Sequence, residues 1–198
     1  METRNCDIKI VKGEEIVPFI PALAQLRMAV FRDYPYLYEG SKEYEENYLK
    51  VYLKSKDTII VLVRDGEKVV GASSGMPLNL EDNAVKKPFI GADINLADVF
   101  YFGESVLLKE YRGYGFGKRF FFEREKHAKS MNYKIAAFCG VVRPENHPQK
   151  PKDYHPLDRF WQKQGYKKME GMQTHFSWQD IVDDTETLKM MQFWMKHL

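Results

Sequence analysis

Apolar positions along this chain switch between a period of two and a period near 3.6, the mark of alternating strands and helices. Asp7 to Val11 reads as a short strand ended by Gly13. Ile16, Phe19, Ile20, Leu23, Leu26, Val30 and Phe31 then recur at helical spacing, with Pro18 and Pro21 tolerable only near the first turn. Ser41 is a plausible cap for a second helix carrying Tyr44, Tyr48, Val51 and Tyr52 on one face. Thr58 to Arg64 is a β-branched strand, and Asp65-Gly66 signals a hairpin into a strand from Lys68 to Met76.

Periodicity disappears after Pro77, which predicts a long loop at about 77–97. Asp98 to Leu108 returns as a strand, a helix runs from about Gly115 to Met131, and Lys134 to Val142 is the unbroken apolar run of a central strand. Four prolines between Arg143 and Pro156 exclude helix and inner strand there. A short helix from Leu157 to Gln164, stopped by Gly165, precedes two strands, Tyr166 to Met169 and Met172 to Trp178, around Gly171. Asp183 with Glu186 resembles a capping box, which predicts a terminal helix at about 184–198. Its apolar residues, Met190, Met191, Phe193, Trp194 and Met195 among them, spread beyond one stripe, so it should be buried in the fold or in a homodimer. One domain, 1–198, accounts for the whole pattern.

With 30 basic and 28 acidic residues the chain is nearly neutral, which gives no reason to expect a nucleic-acid or membrane partner. The start lacks an apolar signal core and no run approaches the roughly 20 residues of a membrane span. A cytoplasmic location is expected. Cys6 and Cys139 read as free thiols in a reducing compartment.

Charge becomes informative in one place. Between Lys109 and Lys129 there are seven Lys or Arg against three Glu, although the whole chain carries only +2. The same segment holds Gly113, Gly115 and Gly117 between a strand and a helix, a layout that brings backbone N–H groups and the helix dipole onto an anion. A Walker loop is excluded because Arg119 follows Gly117-Lys118 and Arg112 stands where the first glycine is required. A dinucleotide fingerprint is excluded by the spacing of the glycines.

What remains, Arg112-Gly113-Tyr114-Gly115-Phe116-Gly117 after a strand ending Ser105-Val106-Leu107-Leu108, resembles the Arg-x-x-Gly-x-Gly acyl-CoA signature of the GNAT superfamily of N-acetyltransferases. The element order resembles that fold along nearly the entire chain, and the Tyr-Pro-Tyr-Leu-Tyr, His-Pro and Phe-Trp segments resemble a bacterial group within the superfamily. Lys109 departs from the usual Pro three residues before the Arg. The resemblance implies an α/β fold with a mixed central sheet of about seven strands, two of them splayed around the pantetheine arm of acetyl-CoA. It further implies that Leu107 and Leu108 meet the pantetheine amides and that the amides of Arg112, Gly113, Tyr114, Gly115, Phe116, Gly117 and Lys118 meet the pyrophosphate.

Acetyl transfer needs a neutral amine, stabilisation of an oxyanion and an acid for the departing thiolate. Glu104, eight residues before Arg112, is the first choice for the base, against the alternative of a solvated strand residue. Many relatives in the superfamily use a Tyr as acid four residues before the Gly that ends the short helix, but Trp161 stands there. Tyr154 and His155 are the substitutes, with loop packing as the competing explanation. Tyr34, Tyr36 and Tyr38 would wall the acceptor, or simply anchor their turn on the core. Cys139 reads as a small hydrophobe rather than a nucleophile, and His147 and His155 lack further ligands at useful spacing, so no metal is expected. The expected activity is transfer of an acetyl group to a small-molecule or peptide amine by direct attack. A catalytically silent acyl-CoA sensor or scaffold and a protein-interaction domain are the alternatives.

Overall fold

The computed structural model describes residues 6–198. Eight strands form one sheet: β1 (Cys6–Val11), β2 (Ile59–Asp65), β3 (Lys68–Pro77), β4 (Val99–Tyr101), β5 (Ser105–Leu107), β6 (Ile135–Val141), β7 (Lys167–Gln179) and β8 (Glu186–His197). They run in the order β1-β2-β3-β4-β6-β8-β7, with β5 also paired to β3. β4 and β6 are parallel and every other neighbouring pair is antiparallel. The helices are α1 (Ile20–Phe31), α2 (Lys42–Leu49), α3 (Asn83–Gly91), α4 (Phe116–Ser130) and α5 (Asp158–Lys163).

Alternation along the strands sends side chains to two helical layers. On one face α4 brings Phe120, Phe121 and Ala128 against Val61, Phe102, Phe138 and Trp194, with Phe160 and Trp161 of α5 packed beside them. On the other, α1 and α2 cover Ile60, Leu62, Ala72 and Val106, while α3 lays Val85 and Phe89 over Tyr101, Phe193 and Met195. Most of the expected elements are present. Ser41 caps α2, its hydroxyl accepting from the Tyr44 N–H at 3.3 Å. Pro18 keeps Gly13–Phe19 in a 3-10 turn, so the α-helix begins only at Ile20, with Pro21 in its first turn.

Three expectations need correction. The terminal helix at 184–198 is instead β8, an inner strand between β6 and β7. Both its faces are buried, Trp194 under the α4 layer and Phe193 and Met195 under α3, so the apolar spread across 190–195 belongs to a two-sided strand. The two strands expected before it are one, β7, with a register shift between Lys168 and Gln173 at Gly171, whose φ is +76°. The loop expected at 77–97 contains α3, hidden in sequence because only Val85 and Phe89 reach the core and Pro88 interrupts the helix. Pro88 has no N–H for the carbonyl of Ala84, and the Thr174 hydroxyl of β7 donates to that carbonyl at 2.7 Å instead. The sheet thus has eight strands where about seven are expected.

Candidate active site

The strand expected from Asp98 to Leu108 is broken in two, and the break makes the site. Tyr101 faces Met76 and Ser105 faces Ser73, so Phe102, Gly103 and Glu104 stand opposite only Ser74 and Gly75. This is a bulge. Gly103 is required in it, because a Cβ there would lie 2.2 Å from the Tyr52 hydroxyl and 2.9 Å from the Ser74 Oγ. The Phe102 N–H still reaches the carbonyl of Ala137 at 2.8 Å. Past that bond β5 follows β3 while β6 continues with β8, and the sheet parts between β5 and β6.

The backbone of β5 is poised on that gap. Glu104 O accepts from the Ser74 N–H and the Leu108 N–H donates to Val70 O, each at 3.0 Å, so 104 and 108 turn toward β3. In an antiparallel ladder the intervening odd positions turn the other way, which aims the N–H and C=O of Ser105 and Leu107 at the gap. Both polar groups of Leu108 are engaged, its carbonyl by the Tyr111 N–H. The Leu107 N–H is thus left facing the gap, whereas Leu108 is occupied within the fold. Arg112 Nε donates to Leu107 O at 3.1 Å.

The glycine turn leads from β5 into α4. Gly113 and Gly115 have φ of +87° and +88°, and no atom lies within 4 Å of where a Cβ would be. Gly117 lets the ring of Phe160 approach to 3.2 Å of its own Cβ position, tying α5 to the turn. Arg112, Tyr114 and Lys118 are exposed, and Phe116 is half-buried. An open turn at a helix N-terminus, flanked by cations and continuous with polar groups in a sheet gap, fits the phosphates and amide arm of a CoA ester.

Glu104 points into the α1–α2 layer. Its Oε2 accepts from Arg27 Nη1 at 2.5 Å and from the Tyr52 hydroxyl at 3.2 Å. Arg27 Nε bonds Glu45 Oε2, and its guanidinium lies over the Tyr48 ring, 4.4 Å from the centroid. Burial opposes this charge, but Glu104, Tyr48 and Glu45 more than offset it and raise the Arg27 pKa above its ordinary value. From the opposite layer Arg124, fully buried, donates to the carbonyls of Ser74 at 3.1 Å and Glu104 at 3.2 Å and to Ser105 Oγ at 2.9 Å. Desolvation lowers its pKa to about 10, so it keeps its charge at neutral pH. Two arginines hold the bulge from its two sides.

The aromatic turn after α1 crosses to the far half of the sheet. Arg143 donates to the carbonyls of Pro35 and Tyr36, each at 2.7 Å, and forks onto Asp180 at 2.8 and 2.9 Å. Burial pushes the Asp180 carboxyl up, but Arg143 and Lys189 outweigh it and hold it below the usual carboxylate range. The three tyrosines have different surroundings. Tyr34 packs edge-on against Tyr154, ring centroids 4.6 Å apart, with His147 at 5.6 Å. Burial raises the Tyr36 hydroxyl, and Cys139, Arg27, Tyr154 and Glu104 act on it besides. Tyr38 is raised by burial and by Glu45 beside it. His155 is exposed.

Cys139 bonds the Tyr101 hydroxyl at 3.1 Å, and burial pushes its thiol up to about 12, so it stays protonated. Trp161, half-buried, packs against the core over Gly140, 5.1 Å from both Phe138 and Trp194 between centroids. Sequence reasoning missed Arg27, Arg124 and Glu81. Glu81, between β3 and α3, shares charge interactions with Tyr48, Tyr52, Tyr101, Cys139 and Glu104. It fell in a stretch with no periodicity. Among the described residues no cluster of three or more His, Cys, Asp or Glu is arranged around a metal-sized site, and no helix is long and apolar enough to cross a membrane.

No protein-family model matches this chain, and comparison with curated protein sequences finds no match. Solved structures do match over nearly its full length. A ribosomal-protein-alanine N-acetyltransferase from Brucella melitensis aligns with a TM-score of 0.62 at 13% identity, over 96% of this chain and 99% of that one. An acetyltransferase from Streptococcus agalactiae gives 0.61 at 14%, over 99% and 100%. An acetyltransferase of the GNAT family from Streptococcus pneumoniae gives 0.57 at 12%, over 97% and 100%. With its eight-stranded mixed sheet, parted beside a glycine turn and covered by helices on both faces, this chain has the GNAT acetyltransferase fold.

Proposed function

We propose that this protein transfers an acetyl group from acetyl-CoA to a primary amine by direct attack in a ternary complex. The observation that carries the reading is the open glycine turn that follows β5, the strand whose Leu107 N–H faces the gap. When bound, acetyl-CoA would supply a thioester carbonyl as electrophile. The amides of Arg112 to Lys118 would hold its pyrophosphate and Leu107 its pantetheine arm.

On the acceptor side the roles follow from surroundings. Glu104 has two donors on Oε2 and is fixed by a permanently charged Arg27, which suits an anchor that orients the amine nitrogen. Tyr36 and Tyr38, half-buried near Glu104 and Glu45, would line the pocket, with Tyr34 at its margin against Tyr154. Tyr154 is the better acid for the departing thiolate because it is packed into this cluster, while exposed His155 would exchange the proton with water. A second reading, acyl-CoA binding without turnover, is favoured by one observation: Trp161 occupies the position of the usual acid and is held by its packing against Phe138 and Trp194.

Titration calorimetry with acetyl-CoA, with ATP and NAD as controls, tests the cofactor. Saturable binding of acetyl-CoA alone is expected, and no binding would overturn the reading. Thiol release with a panel of amines then separates the enzyme from the silent binder.

A further inference from the structure

We propose that Arg143 is a positioning residue for the acceptor amine, holding the aromatic turn across the mouth of the sheet gap, a role that rests on the acetyl-transfer reading above. β5 and β6 run in the same direction and end at Leu107 and Val141, so the residues just beyond them mark the two banks of the gap. The turn after α1 touches both. On the β5 bank the Asp33 carboxylate lies 4.0 Å from Arg112 Nη2, and Arg112 is itself bonded to Leu107 O. On the β6 bank Arg143, just beyond Val141, takes the carbonyls of Pro35 and Tyr36. Residues 33–36 therefore form a strap from one bank to the other, with Tyr34 between its two feet.

The parts of the turn are fastened unequally. Positions 36–39 are tied to the end of β7: Trp178 Nε1 donates to Tyr36 O at 3.0 Å, the Ile181 N–H donates to Leu37 O at 2.7 Å, and the Glu39 N–H donates to Gln179 O at 2.9 Å. The Pro35 carbonyl receives its bond from Arg143 Nε, at 2.7 Å. At the other foot the Asp33–Arg112 pair is solvent-exposed and gives little hold. The place of Tyr34 is thus set through Arg143. Tyr34 in turn packs on Tyr154 and His147, both on the proline-rich segment that leaves β6 at Arg143 itself. One guanidinium roots the turn and the segment that faces it.

The task requires an arginine. Nε and Nη2 serve the two carbonyls while Nη1 and Nη2 fork onto Asp180, and a lysine, with one nitrogen, could not satisfy all of these acceptors from one place. Asp180 fixes the fork from behind and is itself paired with Lys189 at 3.3 Å. The side chains of Arg143 and Asp180 are 7% and 5% exposed, so water does not compete for these bonds. Because Lys189 stays with Asp180, replacing Arg143 by a neutral residue leaves no buried carboxylate without a cation, and such a variant should fold.

The two substrates should feel Arg143 differently. Acetyl-CoA would lie on the glycine turn and β5, neither of which bonds Arg143. The amine would lie under the strap, where a shift of Tyr34 changes the wall it meets. Loss of Arg143 should consequently appear in the kinetics of the amine and leave those of acetyl-CoA as they are.

Thiol release from acetyl-CoA by the full chain, with 1,4-diaminobutane, tyramine and alanylalaninamide as acceptors, tests this. In Arg143→Gln the amine KM should rise at least about 10-fold while the acetyl-CoA KM stays at the wild-type value. Arg143→Lys should recover only part of the rise, and it carries the same comparison if Arg143→Gln does not fold. Tyr34→Ala should also raise the amine KM, and the double variant should fall short of the product of the two single effects, because Arg143 acts through Tyr34. An unchanged amine KM, full recovery by lysine, or independent effects of the two substitutions would overturn the role. So would a parallel rise in the acetyl-CoA KM, the sign of general loosening, or a wild type that binds acetyl-CoA yet releases thiol with none of the three amines. Failure of wild type to bind acetyl-CoA overturns the acetyl-transfer reading, and this role falls with it.

Discussion

Arg27 and Glu104 lie 77 positions apart in the chain, and their side chains meet at 2.5 Å behind the bulge that opens the sheet. Glu45, fully buried, takes the other side of the same guanidinium. Removing the cation would leave two buried carboxylates facing each other. Arg27→Met should therefore lower stability by about 3–5 kcal/mol in urea unfolding. Arg27→Lys should recover only part, since one ammonium cannot fork to both acids. Replacing Glu45 and Glu104 with Gln in the Arg27→Met background should restore most of the loss, and failure to do so would refute the paired arrangement.

Gly115 opens the first turn of α4 with a left-handed backbone and free space at its Cβ position. Gly115→Glu strains that backbone and projects a negative charge into the phosphate cradle. Acetyl-CoA affinity should fall at least about 100-fold by calorimetry, and near-native affinity in a folded variant would remove the turn from the site.

Glu81 makes stability depend on pH in an unusual direction. Its folded pKa of about 7 lies above the unfolded value, so between about pH 4.5 and 7 the folded state holds the extra proton. Stability from this group falls as pH rises through that window. Glu81→Gln should accordingly be more stable than wild type at pH 8, by up to about 3 kcal/mol, and the gain should vanish near pH 5. Equal pH dependence in the two proteins would contradict the buried carboxyl.

Cys139 should resist alkylation. With its pKa near 12, about one molecule in ten thousand carries the thiolate at pH 8. Iodoacetamide labelling followed by peptide mass spectrometry should leave Cys139 unmodified in the native protein and modify it in urea. Rapid native labelling would reopen a covalent role.

The sequence was most legible where chemistry and local geometry coincide. Gly113, Gly115 and Gly117 mark the turn from β5 into α4, and the register of β2 with β3 follows from a hairpin encoded within a few residues. It was least legible where long-range packing decides. Met190 to Met195 have no local feature to distinguish a buried helix from a strand covered on both faces, and only insertion between β6 and β7 settles it. Arg27 looked like an ordinary polar position on a helix, and its role exists only because Glu45 and Glu104 converge on it. Glu81 lay in a segment whose single helix shows just two core contacts.

The extra residue beside Gly103 decides more than where the sheet parts. Strict alternation from Tyr101 would send Glu104 toward α4 and Ser105 toward α1, the reverse of what is found. The acidic group reaches the α1–α2 layer through a parity change in the backbone. Substitutions at Glu104 alter only the group presented, whereas deletion of one codon at Gly103 would exchange the two faces for every residue downstream to the glycine turn. In this fold the layer that receives each side chain is counted in residues, and it turns on an odd one.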